Sequence, residues 1–597
     1  MIRPIRTGFG PPFLLHSFAQ ARLRRDWSLD MRHAVKNRPT YFCLFVVFFV
    51  AAMSPMIASP APADIILRHG TIYDGGGAPP FIGDVALSNG RVVAVGELGT
   101  LKGRREIDCT GLAVAPGFIN MLSWANESLI EDGRSESDIR QGVTLEVMGE
   151  GESMGPLSPR MKKDLVAQQA DIRYAVKWTT LGEYLDYLVR RRISCNVASF
   201  VGATTVRIHE LGYANRAPTP VELERMQGLV RHAMSEGALG VASSLIYAPA
   251  FYAQTDELIA LAKAAAPHGM YISHLRSEGN SLFEAADELL AIAREAGVPA
   301  QIYHLKAAGE ANWPKLDALI AKVEAARAAG LRITADMYTY TAAATGLDAS
   351  MPPWVQEGGY VEWASRLRDP AVRERVRREM STPTNGWENL YLAAGSPEKV
   401  LLAGFKNPKL KPLTGKTLGA VAASRGTSPE DTAMDLVIED GSRVSTVYFL
   451  MSEENVRKQL RLPWVSFDSD AASMAVQGAF LKSNPHPRAY GNFARLLGKY
   501  ARDEKVLSLQ EAVRRLSSFP AETLRLDHRG ALKPGYFADV VVFDPMRVQD
   551  HATFEKPHQY STGMRHVFVN GVQVLKNGEH TGAKPGRVVR GPGWTKR

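Results

Sequence analysis

His274 and His304 stand near the ends of two short apolar runs, MYISHLRSEG (270–279) and PAQIYHLKAAG (299–309). Imidazole transfers protons near neutral pH and ligates metals, so two of them brought together would have work to do. Between the runs lies NSLFEAADELLAIAREAG, whose apolar residues recur at helical spacing. Strand, helix and strand within about 40 residues make a βαβ unit, and therefore a parallel sheet. Both histidines then fall at the C-terminal ends of successive strands, where parallel α/β folds carry their chemistry. An isolated histidine near a strand end reads more readily as a hydrogen-bonded core residue, and two in register leave both readings open.

The elements around them repeat the same alternation. Val143 to Met148 and Asn196 to Val201 read as apolar strands, followed by Leu239 to Tyr247 and a helix from Thr255 to His268. A helix from Leu316 to Ala329 and strands from Arg332 to Tyr340 and Pro463 to Ala471 complete the set. This predicts an α/β fold, a TIM-type (β/α)8 barrel over 116–530. The stretch 348–412 is rich in Pro, Gly and charge and lacks a strand pattern, so it predicts an insertion over the active face. Short alternating strands with Asp-Gly and Asn-Gly turns lie over 64–115 and again after 531. A small β-sandwich built from both chain ends accounts for them.

Of the 597 residues, 45% are apolar and 22% charged, as in an ordinary globular enzyme. The formal charge is +9, but residues 1–63 hold eight Lys/Arg and two Asp, leaving 63 basic and 60 acidic groups beyond them, a net of +3. With no dense basic run there, a nucleic-acid partner is not expected. Arg32, Lys36 and Arg38 precede the apolar run Tyr41 to Met53, and a small-residue exit ends in Ala61-Pro62-Ala63. This predicts a signal peptide that starts at Met31 and is cleaved after Ala63, with residues 1–30 an upstream extension. The run is shorter than the roughly 20 residues of a membrane span, so the mature protein is expected in the periplasm or medium without a stable span. Cys109 and Cys195 alone would remain, which is no disulfide framework.

Nine segments, the two histidine runs among them, occur in order: VAPGFIN (114–120), QGVTLEVMGEG (141–151), SSLIYAP (243–249), SHLRSEG, YHLKAAG, ADMYTYTAAATGL (335–347), SDA (469–471), NPHPRAYGNFARLLG (484–498) and GALKPGYFADVVVFDP (530–545). Together they resemble the N-acyl-D-amino-acid deacylase (D-aminoacylase) family of the amidohydrolase superfamily over nearly all of 64–590. The resemblance implies a metal-dependent distorted TIM barrel with a small β-sandwich. It implies zinc held by His274 and His304, with one coordination position left for water. It implies Asp470 as the general base that takes the water's proton and passes it to the leaving amine. Three positions match residues that hold the substrate. Arg488 would grip the free carboxylate as a planar bidentate pair. Lys306, two residues after His304, would face the same side of its strand. Tyr338 could donate to the carboxylate or to the developing oxyanion.

Departures from the family pattern bear on the metal. Where the superfamily carries Asp-x-His-x-His after PGF, this chain reads Asn120-Met121-Leu122-Ser123-Trp124, and neither Leu122 nor Trp124 ligates zinc. One ion is therefore expected, with the second metal position lost. The family's cysteine ligand is also missing, and Gly149-Glu150-Gly151-Glu152 stands in its place. Glu150 is the favoured replacement ligand, with Glu152 one short shift away. Asp468 stands where a glycine is usual and would raise the pKa of Asp470 or help bind metal. Two functions follow. One is an exported zinc hydrolase acting on N-acyl-D-amino acids or related N-acyl or dipeptide substrates. The other is a non-catalytic ligand-binding or interaction protein derived from the same family.

Overall fold

The computed structural model describes residues 62–595. The upstream extension and leader expected over 1–63 lie outside them, save that Ala63 already opens the first strand. Among the described residues no helix is long and apolar enough to cross a membrane.

Eight parallel strands form the barrel: Phe118–Asn120 (β1), Val143–Met148 (β2), Asn196–Ser199 (β3), Gly240–Ser244 (β4), Met270–His274 (β5), Ala300–Ile302 (β6), Ile333–Met337 (β7) and Val465–Phe467 (β8). Each pairs in parallel with the next, the short strand Val201–Gly202 carrying β3 across to β4. Closure between β8 and β1 comes from Met121 N–H to Phe467 O at 3.2 Å and a parallel bridge between Ser123 and Ala471. The sequence reading finds seven of these strands and misses β1. With three residues, and only Gly117 separating it from the sandwich strand Ala113–Pro116, β1 has no period of its own.

Helices cover the outside. The one between β5 and β6, Leu282–Ala296, buries Leu282, Ala285, Ala286, Leu289, Leu290, Ile292, Ala293 and Ala296, the stripe that a 3.6-residue period demands. Truncating any one of its buried leucines to alanine costs about 2–5 kcal/mol. Gly297 ends the helix with φ 68°, a left-handed turn that glycine adopts without a Cβ penalty. The interior of the barrel is apolar at its lower levels, where Leu145, Val147, Ala198, Ile272 and Tyr303 share one cluster with Leu122.

Both chain ends build the second layer. Ala63–Ile72, Phe81–Ser88, Arg91–Gly96, Gly103–Asp108 and Ala113–Pro116 join Val540–Phe543, Met564–Val569, Val572–Lys576 and Glu579–His580 in one nine-stranded sheet. The seam is antiparallel, Ala113 opposite Phe543 and Pro116 opposite Val540. Three hairpins turn at Asn-Gly pairs, 89–90, 570–571 and 577–578, with positive φ at both residues, which fits a type I′ turn.

The insertion is longer than 348–412. Ala343–Gly346, Val400–Gly404 and Ser445–Tyr448 make their own antiparallel sheet, with a separate core that includes Leu347, Met351, Trp363, Leu402, Leu436 and Tyr448. The strands that are first and last in the chain, Ala343–Gly346 and the sheet's central Ser445–Tyr448, lie beyond both expected ends because each is four residues long and reads as loop when taken alone.

Candidate active site

Three strand ends deliver the central residues. His274 is the last residue of β5, paired in register with Ser244 of β4. His304 lies two residues past β6 with φ 33°, and its backbone N–H donates to Asp336 Oδ1 of β7 at 2.5 Å. Gln301 Nε2 in turn donates to Asp336 Oδ2 at 2.5 Å. Glu150 follows β2 between Gly149 (φ 107°) and Gly151 (φ 64°). A Cβ at Gly149 would stand 2.5 Å from Phe200 O, and one at Gly151 would stand 2.4 Å from the Cβ of Ser244. Only glycines allow the turn that aims Glu150 inward.

There the three side chains converge. Glu150 Oε1 lies 3.3 Å from His274 Nδ1 and 3.0 Å from His304 Nε2, and the two nitrogens are 3.0 Å apart. All three residues are buried, and among the described residues theirs is the one cluster of this kind with the reach to hold a metal ion. Two imidazoles and a carboxylate are a catalytic zinc donor set that leaves a fourth position open. Arms of about 2.0–2.2 Å in a tetrahedron set ligand atoms about 3.3–3.6 Å apart, so an opening of this triangle by a few tenths of an ångström admits the ion. Burial and the Lys306 ammonium press the His304 pKa down, yet Glu278 and Glu150 outweigh them and raise it to about 10. Burial works to raise the Glu150 pKa, but the two histidines hold its carboxyl well below the usual range. A cation would compete for these same lone pairs.

Glu278, which the sequence reading leaves unassigned, sits behind both histidines. Its Oε1 is 3.1 Å from His304 Nδ1, and its Oε2 is 3.7 Å from His274 Nε2. When Nδ1 donates to this carboxylate, His304 Nε2 is free to face a metal; the Lys306 ammonium, which can only donate, competes for the same nitrogen. Lys306 joins this group, its Nζ 2.7 Å from both Glu278 Oε1 and His304 Nδ1.

Asp470 faces the cluster from the turn after β8, with φ 43° and its N–H on Leu122 O at 3.0 Å. Asn120 pins that turn, accepting the Ser469 N–H at 2.9 Å and donating to Ser469 Oγ at 2.8 Å. Asp470 Oδ2 pairs with an Arg488 terminal nitrogen at 2.9 Å. Arg488 opens the helix Arg488–Arg495 and stacks its guanidinium 4.3 Å from the Tyr338 ring centroid. Its Nε and other terminal nitrogen are buried with no partner. The Tyr338 hydroxyl donates to Met451 Sδ at 3.4 Å. Desolvation, with the Glu150 charge adding to it, raises the Asp470 pKa against the pull of Arg488.

The structure thus gathers Glu150, His274, His304, Lys306, Tyr338, Arg488 and Asp470 into one group beyond the C-terminal ends of the barrel strands. Glu152 is accessible to solvent and stands outside the metal cluster, with Arg443 and Asp348 as its charged neighbours. Asp468 is fully buried beside Asp336, outside the metal cluster, and both its carboxylate oxygens lack a donor. Leu122 is core. Trp124 is in the site: its indole N–H lies 3.1 Å from Glu150 Oε2 and 3.1 Å from Asp470 Oδ1.

Comparison with known proteins places the chain in a family. Residues 415–575 match the model of the Amidohydrolase family. The chain is 32% identical over 538 residues to a D-aminoacylase of Alcaligenes xylosoxydans xylosoxydans, covering 88% of this chain and 98% of that protein. A crystal structure of D-aminoacylase superposes with a TM-score of 0.74 at 31% identity, over 89% of this chain and 100% of that one. The N-acyl-D-glutamate deacylase of Bordetella bronchiseptica, solved with zinc and a phosphonate mimic of the tetrahedral intermediate, gives a TM-score of 0.73 at 30% identity, over 89% and 100%. The chain belongs to the D-aminoacylase (N-acyl-D-amino-acid deacylase) family of amidohydrolases, metal-dependent hydrolases of amide carbon–nitrogen bonds.

Proposed function

We propose that this protein hydrolyses the amide bond of N-acyl-D-amino acids, or of closely related N-acyl or dipeptide substrates, with a single zinc ion held by Glu150, His274 and His304. The observation that carries this reading is the Glu150–His274–His304 triangle, with donors 3.0–3.3 Å apart, facing an Asp470–Arg488 pair. The zinc of the related N-acyl-D-glutamate deacylase and the substrates in the relatives' names support the metal and the D configuration.

A bound zinc ion would polarise the scissile carbonyl and activate water. The chain's own residues do the rest. The unpartnered terminal nitrogen of Arg488, beside the one that Asp470 holds, offers a charge-assisted donor to the substrate carboxylate, with the Tyr338 ring stacked beneath the guanidinium. Asp470 takes the proton released as water's oxygen bonds to the acyl carbon, and delivers it to the amide nitrogen as the carbon–nitrogen bond breaks. A carboxylic acid and a free amino acid leave. Its raised pKa suits Asp470 to both halves of that transfer. Export to the periplasm or medium remains a reading of the leader at Arg32 to Ala63.

The test is elemental analysis of the purified protein beside an assay on a panel of N-acyl-D-amino acids. One equivalent of zinc with turnover is expected, and His274→Ala should lose both. Zinc-replete protein that binds these compounds without cleaving any would replace the hydrolase with a binding protein.

A further inference from the structure

Two carboxylates, Glu150 and Asp470, face one gap, and each raises the cost of charging the other. Such a pair ordinarily draws a cation between its oxygens. Here the gap is spanned by a neutral donor, the Trp124 indole N–H, 3.1 Å from Glu150 Oε2 and 3.1 Å from Asp470 Oδ1. The indole is held in place by its backbone: Trp124 N–H donates to Ala471 O at 3.0 Å and Ser123 N–H to Val147 O at 2.7 Å. It is not simply core filler, since 38% of the residue is exposed.

The arrangement divides the four carboxylate oxygens. Glu150 gives Oε1 to the histidines and Oε2 to Trp124. Asp470 gives Oδ1 to Trp124 and Oδ2 to Arg488. Indole nitrogen is a donor only; it neither accepts a proton nor offers a lone pair to a metal. We propose that Trp124 is a positioning residue that bridges Glu150 and Asp470 in place of a second metal ion, holding Asp470 over the reaction centre and limiting the site to one cation. This rests on the reading of Asp470 as the proton-transfer group.

Two variants test it. Trp124→Phe keeps a ring and removes the N–H. It should retain one equivalent of zinc while kcat falls about 10-fold or more and KM changes little, because a misplaced base slows the reaction without touching ground-state binding. Trp124→His puts a lone pair between two carboxylates and should raise the zinc capacity, read by elemental analysis after equilibration with excess zinc, from one equivalent to two. Unchanged kcat in the phenylalanine variant, a rise in KM with kcat intact, a wild type that takes two equivalents, or a histidine variant that stays at one would each overturn the proposal. If no N-acyl-D-amino acid is cleaved by the wild type, the hydrolase reading fails by itself, while the zinc counts still decide whether Trp124 closes the second position.

Discussion

Arg488 is the residue whose chemistry the fold leaves most conspicuously unfinished. It is 2% exposed, yet only one terminal nitrogen finds a carboxylate, and Nε and the other terminal nitrogen have no acceptor. Burying unpaired donors costs about 1–3 kcal/mol, and more when they are charged. A carboxylate arriving in the plane of the guanidinium at its two terminal nitrogens would satisfy the unpaired one. Arg488→Lys should therefore lower kcat/KM for N-acyl-D-amino acids about 10–100-fold, chiefly through KM, because an ammonium offers a point charge without the fork or the stack on Tyr338. Steady-state kinetics with an unchanged KM would sink this role. At this scale the sequence is readable where a side chain sits on a regular element. His274 follows from its strand end, while Lys306 and Asp470 come from the family motifs: β6 stops at Ile302 and His304 turns with φ 33°, so alternation does not reach Lys306. Trp124 and Glu278 follow from neither, since an indole gives no local sign that it will donate to two carboxylates 26 and 346 residues away. Glu278 likewise meets its lysine only after β6 has folded beside β5.

At the scale of elements, one buried carboxyl is among the bonds that fasten the insertion to the active face, beside Asn280 Nδ2 to Thr384 O at 3.1 Å and the Tyr252 hydroxyl to Pro353 O at 2.6 Å. Glu388 reaches from the insertion to the loop after β5, where it accepts Ser277 Oγ at 2.6 Å and the N–H groups of Glu278 at 2.8 Å and Gly279 at 3.2 Å. Burial, with the Glu278 charge added, raises its pKa from 4.5 to about 7. A raised acid pKa means that the folded protein holds a proton the unfolded chain releases. The stability from this group is complete below the ordinary carboxylate value and is lost as pH rises through about 7, an amount on the order of 3 kcal/mol. Glu388→Gln copies the protonated form and should flatten the fall in thermal midpoint between about pH 5 and about pH 8. An equal fall in variant and wild type would show that Glu388 takes no part in the fastening. The insertion's existence is legible from its Pro, Gly and charge, but its bounds are not. Strands such as Ala343–Gly346 gain their identity only by pairing with Ser445–Tyr448 about 100 residues on.

At the scale of the described residues as a whole, the two β-rich segments close the fold, and the closure lies at the opposite end of the strands from the chemistry. Gly117 N–H donates to Asp539 O at 2.8 Å, joining the first barrel strand to the C-terminal part of the sheet. From there the tail runs under the barrel: Gly586 N–H donates to Ile193 O at 2.8 Å, Val197 N–H to Arg587 O at 3.0 Å and Val589 N–H to Val197 O at 2.8 Å. Asn570 of the sheet donates to Asn196 Oδ1 at 2.8 Å, and the same oxygen accepts the Arg587 N–H at 3.1 Å, so sheet, barrel and tail share one side chain. Alternation and Asn-Gly turns announce that both ends are β-rich; that the last residues add to the barrel floor is not written in any period, because a single extended segment carries none. Gly586 is where this joint is tightest. Its φ is not in the left-handed region, so the constraint is space alone: a Cβ there would stand 1.9 Å from Cys195 O and 2.8 Å from Ile193 O, both backbone atoms that cannot swing aside. Gly586→Ala must push the tail off the floor, and overpacking of this kind costs about 1–3 kcal/mol or more. The thermal midpoint should drop by a few degrees. Zinc content and kcat/KM at low temperature should not change, since the displaced tail lies at the N-terminal ends of the strands and the ligands at their C-terminal ends. A variant that melts like the wild type would show that the tail is not part of the cooperative unit. One that stays folded but loses zinc would show that the floor and the site are mechanically coupled through the barrel.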